Sequence, residues 1–175
     1  MKAIIIGNII SLCAAGFMVA SCLVSDKRRV FLFQFLECSI LAVASVFFGS
    51  LAGATTLILG ALRNLVVARD KFTKPVMWFF LILVTVAGLW TNTKGLVGLL
   101  PVIATVEYTF CCYYVTGDRE TKYSIFVNVL LWVIYSFLIL DFSTAISDSI
   151  VLLVDTAAIF RLRRKERRAA VPTEQ

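Results

Sequence analysis

Five ionisable side chains fall inside otherwise apolar stretches of the sequence: Glu37, Arg63, Glu107, Asp148 and Asp155. In hydrocarbon such groups are costly, so each is a candidate for ligand binding, proton movement or helix assembly rather than for packing. Arg63 presents a planar fork of donors that suits bidentate carboxylate contact, and it does not readily lose its proton. Asp148 and Asp155 are seven residues apart, which puts them on one helix face with Thr144 and Val151. Together with Glu107 they form a candidate proton or cation site, because a buried carboxylate holds a proton unless a positive partner offsets its desolvation. Gln34, Asn64 and Asn128 supply neutral donors and acceptors, and Trp132 an aromatic wall. The candidate solute-binding set is therefore Gln34, Glu37, Arg63, Asn64, Asn128, Trp132 and Asp155.

Other chemistry is excluded by composition. The 175 residues contain no His, which removes zinc-hydrolase, His-based triad and haem-ligand sites together. No phosphate-binding glycine loop, HExxH or GxSxG is present, so the chain reads as a non-enzyme without metal or cofactor. Cys13, Cys22, Cys38, Cys111 and Cys112 all lie in apolar runs and form no CxxC; they read as small packing residues.

The elements that must carry these groups follow from hydropathy. Hydrophobic residues make up 60% and charged residues 16%, against roughly 45–50% and about 25% in soluble domains. So small a chain could not hide that excess in its interior. A bilayer core takes about 20 apolar helical residues, roughly 17 at the short end, and seven stretches qualify: 3–24, 30–48, 51–68, 75–91, 96–115, 122–140 and 143–160. The fold class is all-α, a polytopic transmembrane bundle of seven helices. The first span resembles a signal peptide, with a lipoprotein-like box at Val19-Ala20-Ser21-Cys22. Cleavage there would leave Lys27, Arg28 and Arg29 opposing export, so the span reads as retained.

Charge sets the orientation. With the N-terminus outside, fourteen of the 17 basic residues fall in internal segments, while Lys2 and Lys94 fall outside and Arg63 lies within a span. That asymmetry follows the positive-inside rule and requires an odd number of spans. Trp78 and Trp90 bracket the fourth span, and Tyr113, Tyr114 and Tyr123 flank an internal loop, as interfacial aromatics do. The basic stretch from Arg161 to Arg168 opens a cytoplasmic tail, 161–175, that fixes orientation and suits anionic headgroups.

Depth follows from the helical rise of about 1.5 Å per residue. From the internal ends of their spans, Glu37 lies about 10 Å deep, Arg63 and Asp155 about 8 Å, Asn128 about 9 Å and Glu107 about 12 Å. Residues of five helices thus share one layer. In that layer Arg63 either pairs with Glu37, with Asp155 as second choice, or snorkels to the interface. Gly53, Thr56, Gly60 and Arg63 recur at helical spacing as a small-residue face that admits a close neighbour.

Residues 26–68 and 118–162 share a layout of charged internal loop, span, short external turn, span and basic end. The turn Gly49-Ser50 corresponds to Ser143-Thr144 at an offset of 94. With the first and fifth spans as leading helices, the single transmembrane domain 1–168 divides into repeat one (3–68), a linker helix (75–91) and repeat two (96–160), two parallel three-helix repeats. That plan resembles the SWEET and PQ-loop transporters, although the chain has no Pro-Gln pair. Phe47-Phe48-Gly49, Gly53-Ala54, Ala61-Leu62-Arg63-Asn64-Leu65 and Gly98-Leu99-Leu100-Pro101-Val102-Ile103, in that order, resemble the YgjV family of bacterial inner-membrane proteins over roughly 1–165. The resemblance implies a bacterial inner-membrane location. The expected function is a small-solute transporter or permease-like protein with a polar cavity. The alternative is a non-transporting membrane protein that binds lipid or a protein partner, its buried charges structural. Expected partners are membrane lipids and a small solute, with a homo-oligomer compatible and nucleic acid excluded for want of a domain to present the charges.

Overall fold

The computed structural model describes residues 1–24, 26–115 and 118–169. It omits the side chains of Cys22, Leu23, Lys27, Asp118, Arg119, Thr121, Lys122, Asp155, Ala158 and residues 161–169. The described chain is all-helical, with seven helices and no strand: α1 (Lys2–Leu23), α2 (Lys27–Phe47), α3 (Leu51–Ala68), α4 (Lys74–Trp90), α5 (Leu96–Tyr114), α6 (Asp118–Ile139) and α7 (Phe142–Ala169). Four of these, α1, α2, α3 and α5, are long and apolar enough to cross a membrane, while α4, α6 and α7 contribute shorter apolar stretches.

The helix starts are chemically marked. Asp26 caps α2 by accepting from Arg29 N–H at 3.0 Å, and Ser50 caps α3 by accepting from Gly53 N–H at 3.2 Å. Each side-chain oxygen satisfies a backbone donor that the first turn leaves open. α4 opens with Pro75 in its first turn, where the missing N–H costs nothing. One boundary differs clearly from expectation: α7 does not end near 160 but continues through the basic stretch to Ala169. Lys, Arg and Glu are good helix formers, and no Gly or Pro intervenes before Pro172.

Contacts follow chain order, each helix packing on the next, and two further contacts, α3 with α5 and α1 with α7, close the set. Six helices therefore form a ring, and α4 sits outside it, bridging α3 and α5. The outward surface is apolar. α4 alone exposes Trp78, Phe79, Ile82, Val86, Leu89 and Trp90, as a lipid-facing helix does. The small-residue face of α3 points the other way, with Gly53, Thr56, Gly60 and Arg63 all buried.

The two hairpin turns have the same construction. Gly49 and Leu140 both adopt positive φ, 65° and 67°. Ser50 N–H bonds Ser45 O as Asp141 N–H bonds Ser136 O, both at 2.9 Å, and Gly49 to Val46 is matched by Leu140 to Phe137. Ser50 O accepts from Ala54 N–H as Asp141 O accepts from Ala145 N–H, both at 3.0 Å, each pair 91 residues apart. Asp141 caps α7, accepting from Thr144 N–H at 3.1 Å. The turns therefore correspond at an offset of 91 rather than 94. Leu140-Asp141, not Ser143-Thr144, is the counterpart of Gly49-Ser50, because the Asp cap ends the turn before Phe142.

Candidate functional site

Inside the ring lies a cavity of about 260 Å³. It is walled by α1, α2, α3, α5, α6 and α7, and α2 makes no close backbone contact with α6 across it. Of the candidate solute-binding residues, Gln34, Glu37, Arg63, Asn64, Asn128 and Trp132 line it, joined by Asp148. Asp155 lies on α7, but its side chain is outside the described residues. The remaining lining is mainly apolar, including Leu41, Leu57, Val129 and Val151. Pockets of this kind bind small molecules by apolar walls with a few placed polar groups.

Arg63 occupies one wall and is only 4% exposed. Nη1 donates to Thr109 Oγ1 at 2.9 Å and to the Thr105 carbonyl at 3.5 Å. Nη2 and Nε both donate to Asn64 Oδ1, at 2.9 and 3.3 Å. The guanidinium lies 4.8 Å from the centre of the Tyr108 ring, within cation–π range. The expected ion pair with Glu37 is not among these contacts, and neither is the snorkelled arrangement. The physical reason is local: neutral oxygens of α5 and the adjacent Asn64 satisfy all three nitrogens inside the α3–α5 seam, so the side chain reaches neither a carboxylate nor the interface.

The carboxylates stand differently. Glu37 lies ten residues from either end of α2, about 15 Å along the helix and thus deeper than counted from residue 30. Asp148 is 8% exposed and faces the same cavity. Among the described residues neither acid receives a hydrogen bond or forms an ion pair. Gln34 lies one turn from Glu37 on α2, and its Oε1 is buried with no hydrogen-bond partner.

Glu107 is separated from this group. Its Oε1 accepts from Ser124 Oγ at 2.9 Å and from Cys111 Sγ at 3.2 Å, and it borders an apolar recess with Thr85 and Leu89 instead. Glu107 and Asp148, expected to share one proton or cation site, border different spaces, because depth along a helix does not set direction. Each residue turns the helix by about 100°, and on α5 it is Thr105 and Tyr108 that face the cavity. Asn128 reaches α5 by donating to the Ala104 carbonyl at 2.7 Å.

A second polar region lies near the two hairpin turns. Ser50 and Tyr135 hydroxyls are hydrogen-bonded across α3 and α6. Asp141 Oδ2 accepts from Ser11 Oγ and from Thr144 Oγ1, both at 2.8 Å. Asn8 donates to the Leu140 carbonyl at 3.0 Å and accepts from Ser143 N–H at 2.9 Å. Burial pushes the Asp141 carboxyl upward, while its hydrogen bonds from Thr144 and Ser11 pull it back. Tyr135 stacks edge-on against Trp132 of the cavity, centroids 5.6 Å apart. Sequence reasoning misses this latch and the Thr105–Tyr108–Thr109 seat of Arg63. The available signals are the caps Ser50 and Asp141, and the stripe Pro101, Thr105, Thr109 at four-residue spacing.

The profile of the Imp-YgjV family, described as bacterial inner membrane protein, matches residues 5–166. The chain belongs to that family and is a bacterial inner-membrane protein. No curated protein and no solved structure matches it.

Proposed function

We propose that this member of the YgjV family is a small-solute transporter or permease-like protein whose substrate occupies the cavity inside the helix ring. The observation that carries the reading is the composition of that cavity. Glu37, Arg63, Asn64, Asn128 and Asp148 converge there from four helices around about 260 Å³ of space. A space of that volume matches roughly eight or nine waters at about 30 Å³ each. A bundle needing only stability gains nothing from unpartnered carboxylates in its middle.

The fuller architecture belongs to this proposal. All seven helices cross the membrane, with the N-terminus outside and the C-terminus inside, as the basic residues favour. α1–α3 and α5–α7 act as two parallel repeats joined by α4. Two observations support that division: the matched hairpin turns, and a contact pattern in which α3 on α5 has its counterpart in α7 on α1. A ring of two like halves around a central site is the arrangement alternating access uses.

A second reading, in which the protein binds lipid or a partner and the buried charges serve assembly, is favoured by one observation. Every nitrogen of Arg63 is already engaged by the protein itself. Proteoliposome uptake of sugars, amino acids, amines and organic acids by the full chain and by Arg63→Ala separates the two. Flux above empty liposomes that is lost in a folded variant supports transport. No flux for any class, or a variant that fails to fold, supports the structural reading.

A further inference from the structure

Two carboxylates face the cavity without a partner among the described residues, and the one guanidinium of its described lining is already engaged. Arg63 would be the natural receptor for an anionic solute, yet its Nε, Nη1 and Nη2 all donate to Asn64, Thr109 and the Thr105 carbonyl. Facing the open space are Glu37 and Asp148, the latter more than nine-tenths buried, with no hydrogen bond or ion pair from any described residue. Gln34 Oε1 adds a buried acceptor without a donor. With Arg63 counted, the described charged groups of the lining leave one negative charge in excess when ionised. The unmet requirement is therefore a cation that brings hydrogen-bond donors and no acceptor, which describes an ammonium group with its three N–H bonds.

Two features narrow the class. No set of three or more metal-ligating side chains occurs among the described residues, so the pattern does not suit a divalent metal. The walls are mainly apolar, with Leu57, Val129 and Trp132 among them, so the ligand needs an apolar body as well as a charged head.

We propose that the cavity binds a small primary amine in its ammonium form, the head seated between Glu37 and Asp148 and the apolar body against Leu57, Val129 and Trp132. This names the substrate class of the transport reading and rests on it, although the binding itself requires only the cavity. An ammonium head supplies the positive charge that offsets the desolvation of the two carboxylates in their ionised form, whereas an anion of equal shape meets like charge there and finds the guanidinium already engaged.

The test uses the full chain in nanodiscs, titrated calorimetrically with isopentylamine near neutral pH, with isovalerate and isopentanol as anionic and neutral probes of the same shape and empty nanodiscs as blank. Saturable amine binding is expected, with isovalerate weaker by at least about tenfold. Glu37→Gln or Asp148→Asn lowers amine affinity by about tenfold or more, the scale of one charged hydrogen bond. Isovalerate binding as well as the amine, amine binding unchanged in the double variant, or no amine binding beyond the blank overturns the proposal. Should a variant not fold, the wild-type comparison of amine and isovalerate still decides. Amine binding without amine flux in proteoliposomes would sink the transport reading and leave the site standing. Flux of an anionic or neutral solute without amine binding would do the reverse.

Discussion

Two buried polar regions of this protein differ in one respect. At the hairpin turns, Ser11, Ser50, Tyr135, Asp141 and Thr144 are each hydrogen-bonded to another of the group. In the cavity, Glu37 and Asp148 have no such partner among the described residues, and Gln34 Oε1 is orphaned. A polar group out of water is tolerable when its bonds are made and costly when they are not. The first region accordingly ties α1 to α7 and α3 to α6, whereas the second leaves its acceptors facing open space, as the proposed ligand site requires. Arg63 lies at the border: it lines the cavity, yet its bonding is of the first kind.

That border residue gives the largest expected effect. If Arg63 is a structural member, Arg63→Ala strips both donors from Asn64 Oδ1 and one from Thr109 Oγ1, and opens space against Tyr108. It then lowers unfolding stability in detergent by about 3 kcal/mol or more. A loss below about 1 kcal/mol would move Arg63 into the ligand-binding group instead. Next comes Asp141→Ala, which strips acceptors from Thr144 N–H, Thr144 Oγ1 and Ser11 Oγ at once. A cost of about 2–3 kcal/mol is expected, with Asp141→Asn, which keeps a capping oxygen, within about 1 kcal/mol of wild type. Asp141 also predicts a pH effect. Its folded value is raised above the usual 3.8, so its protonated form favours the native state. Its stabilising contribution is fullest below 3.8 and is lost as pH rises through the raised value. Denaturation series with and without Asp141→Asn would show that component disappear in the variant.

Much of this arrangement is legible in the sequence because hydrophobic runs and helix rise are strong, local signals. The spans coincide with helices to within four residues except at the end of α7, and the cost of burying Glu37, Arg63 and Asp148 marks them before any coordinates. Direction is less legible than depth. Glu107 is at a suitable height but faces Ser124, and besides the adjacent Asn64 the partners of Arg63 are Thr105 and Thr109 of α5, which follows α3 in sequence only after α4. The second turn is expected at Ser143-Thr144 rather than at Leu140-Asp141 because Leu140 is an unusual residue for positive φ. Nothing in the run Leu138-Ile139-Leu140 announces a bend, and the Asp cap is visible only once the turn is known.

A sharper form of the comparison sets Tyr135→Phe against Asp148→Asn. Both remove one polar function from a buried side chain. Tyr135 is 1% exposed and bonded to Ser50, so losing its hydroxyl costs about 1–1.5 kcal/mol and loosens α3 from α6. Asp148→Asn removes an unpartnered buried charge and should leave stability unchanged or raise it slightly, while amine affinity falls. Thermal unfolding of both variants in the same detergent checks the contrast. Equal losses in both would mean that Asp148 has a structural partner and that the two regions are alike.

The smallest effect concerns the difference between the two turns themselves. Gly49 adopts φ 65° freely, whereas Leu140 holds φ 67° with a side chain attached. A left-handed non-glycine residue costs roughly 1–2 kcal/mol, and glycine gives back roughly 0.5–1 kcal/mol in unfolded-state entropy. Leu140→Gly should therefore stabilise the protein by about 0.5–1 kcal/mol, since the Leu140 side chain is half exposed and only its backbone carbonyl accepts from the Asn8 side-chain amide. The reciprocal Gly49→Leu should destabilise by a similar amount. If Leu140→Gly instead lowers stability, the leucine side chain is held by something outside the ring, and the second turn is an outward contact rather than a strained copy of the first.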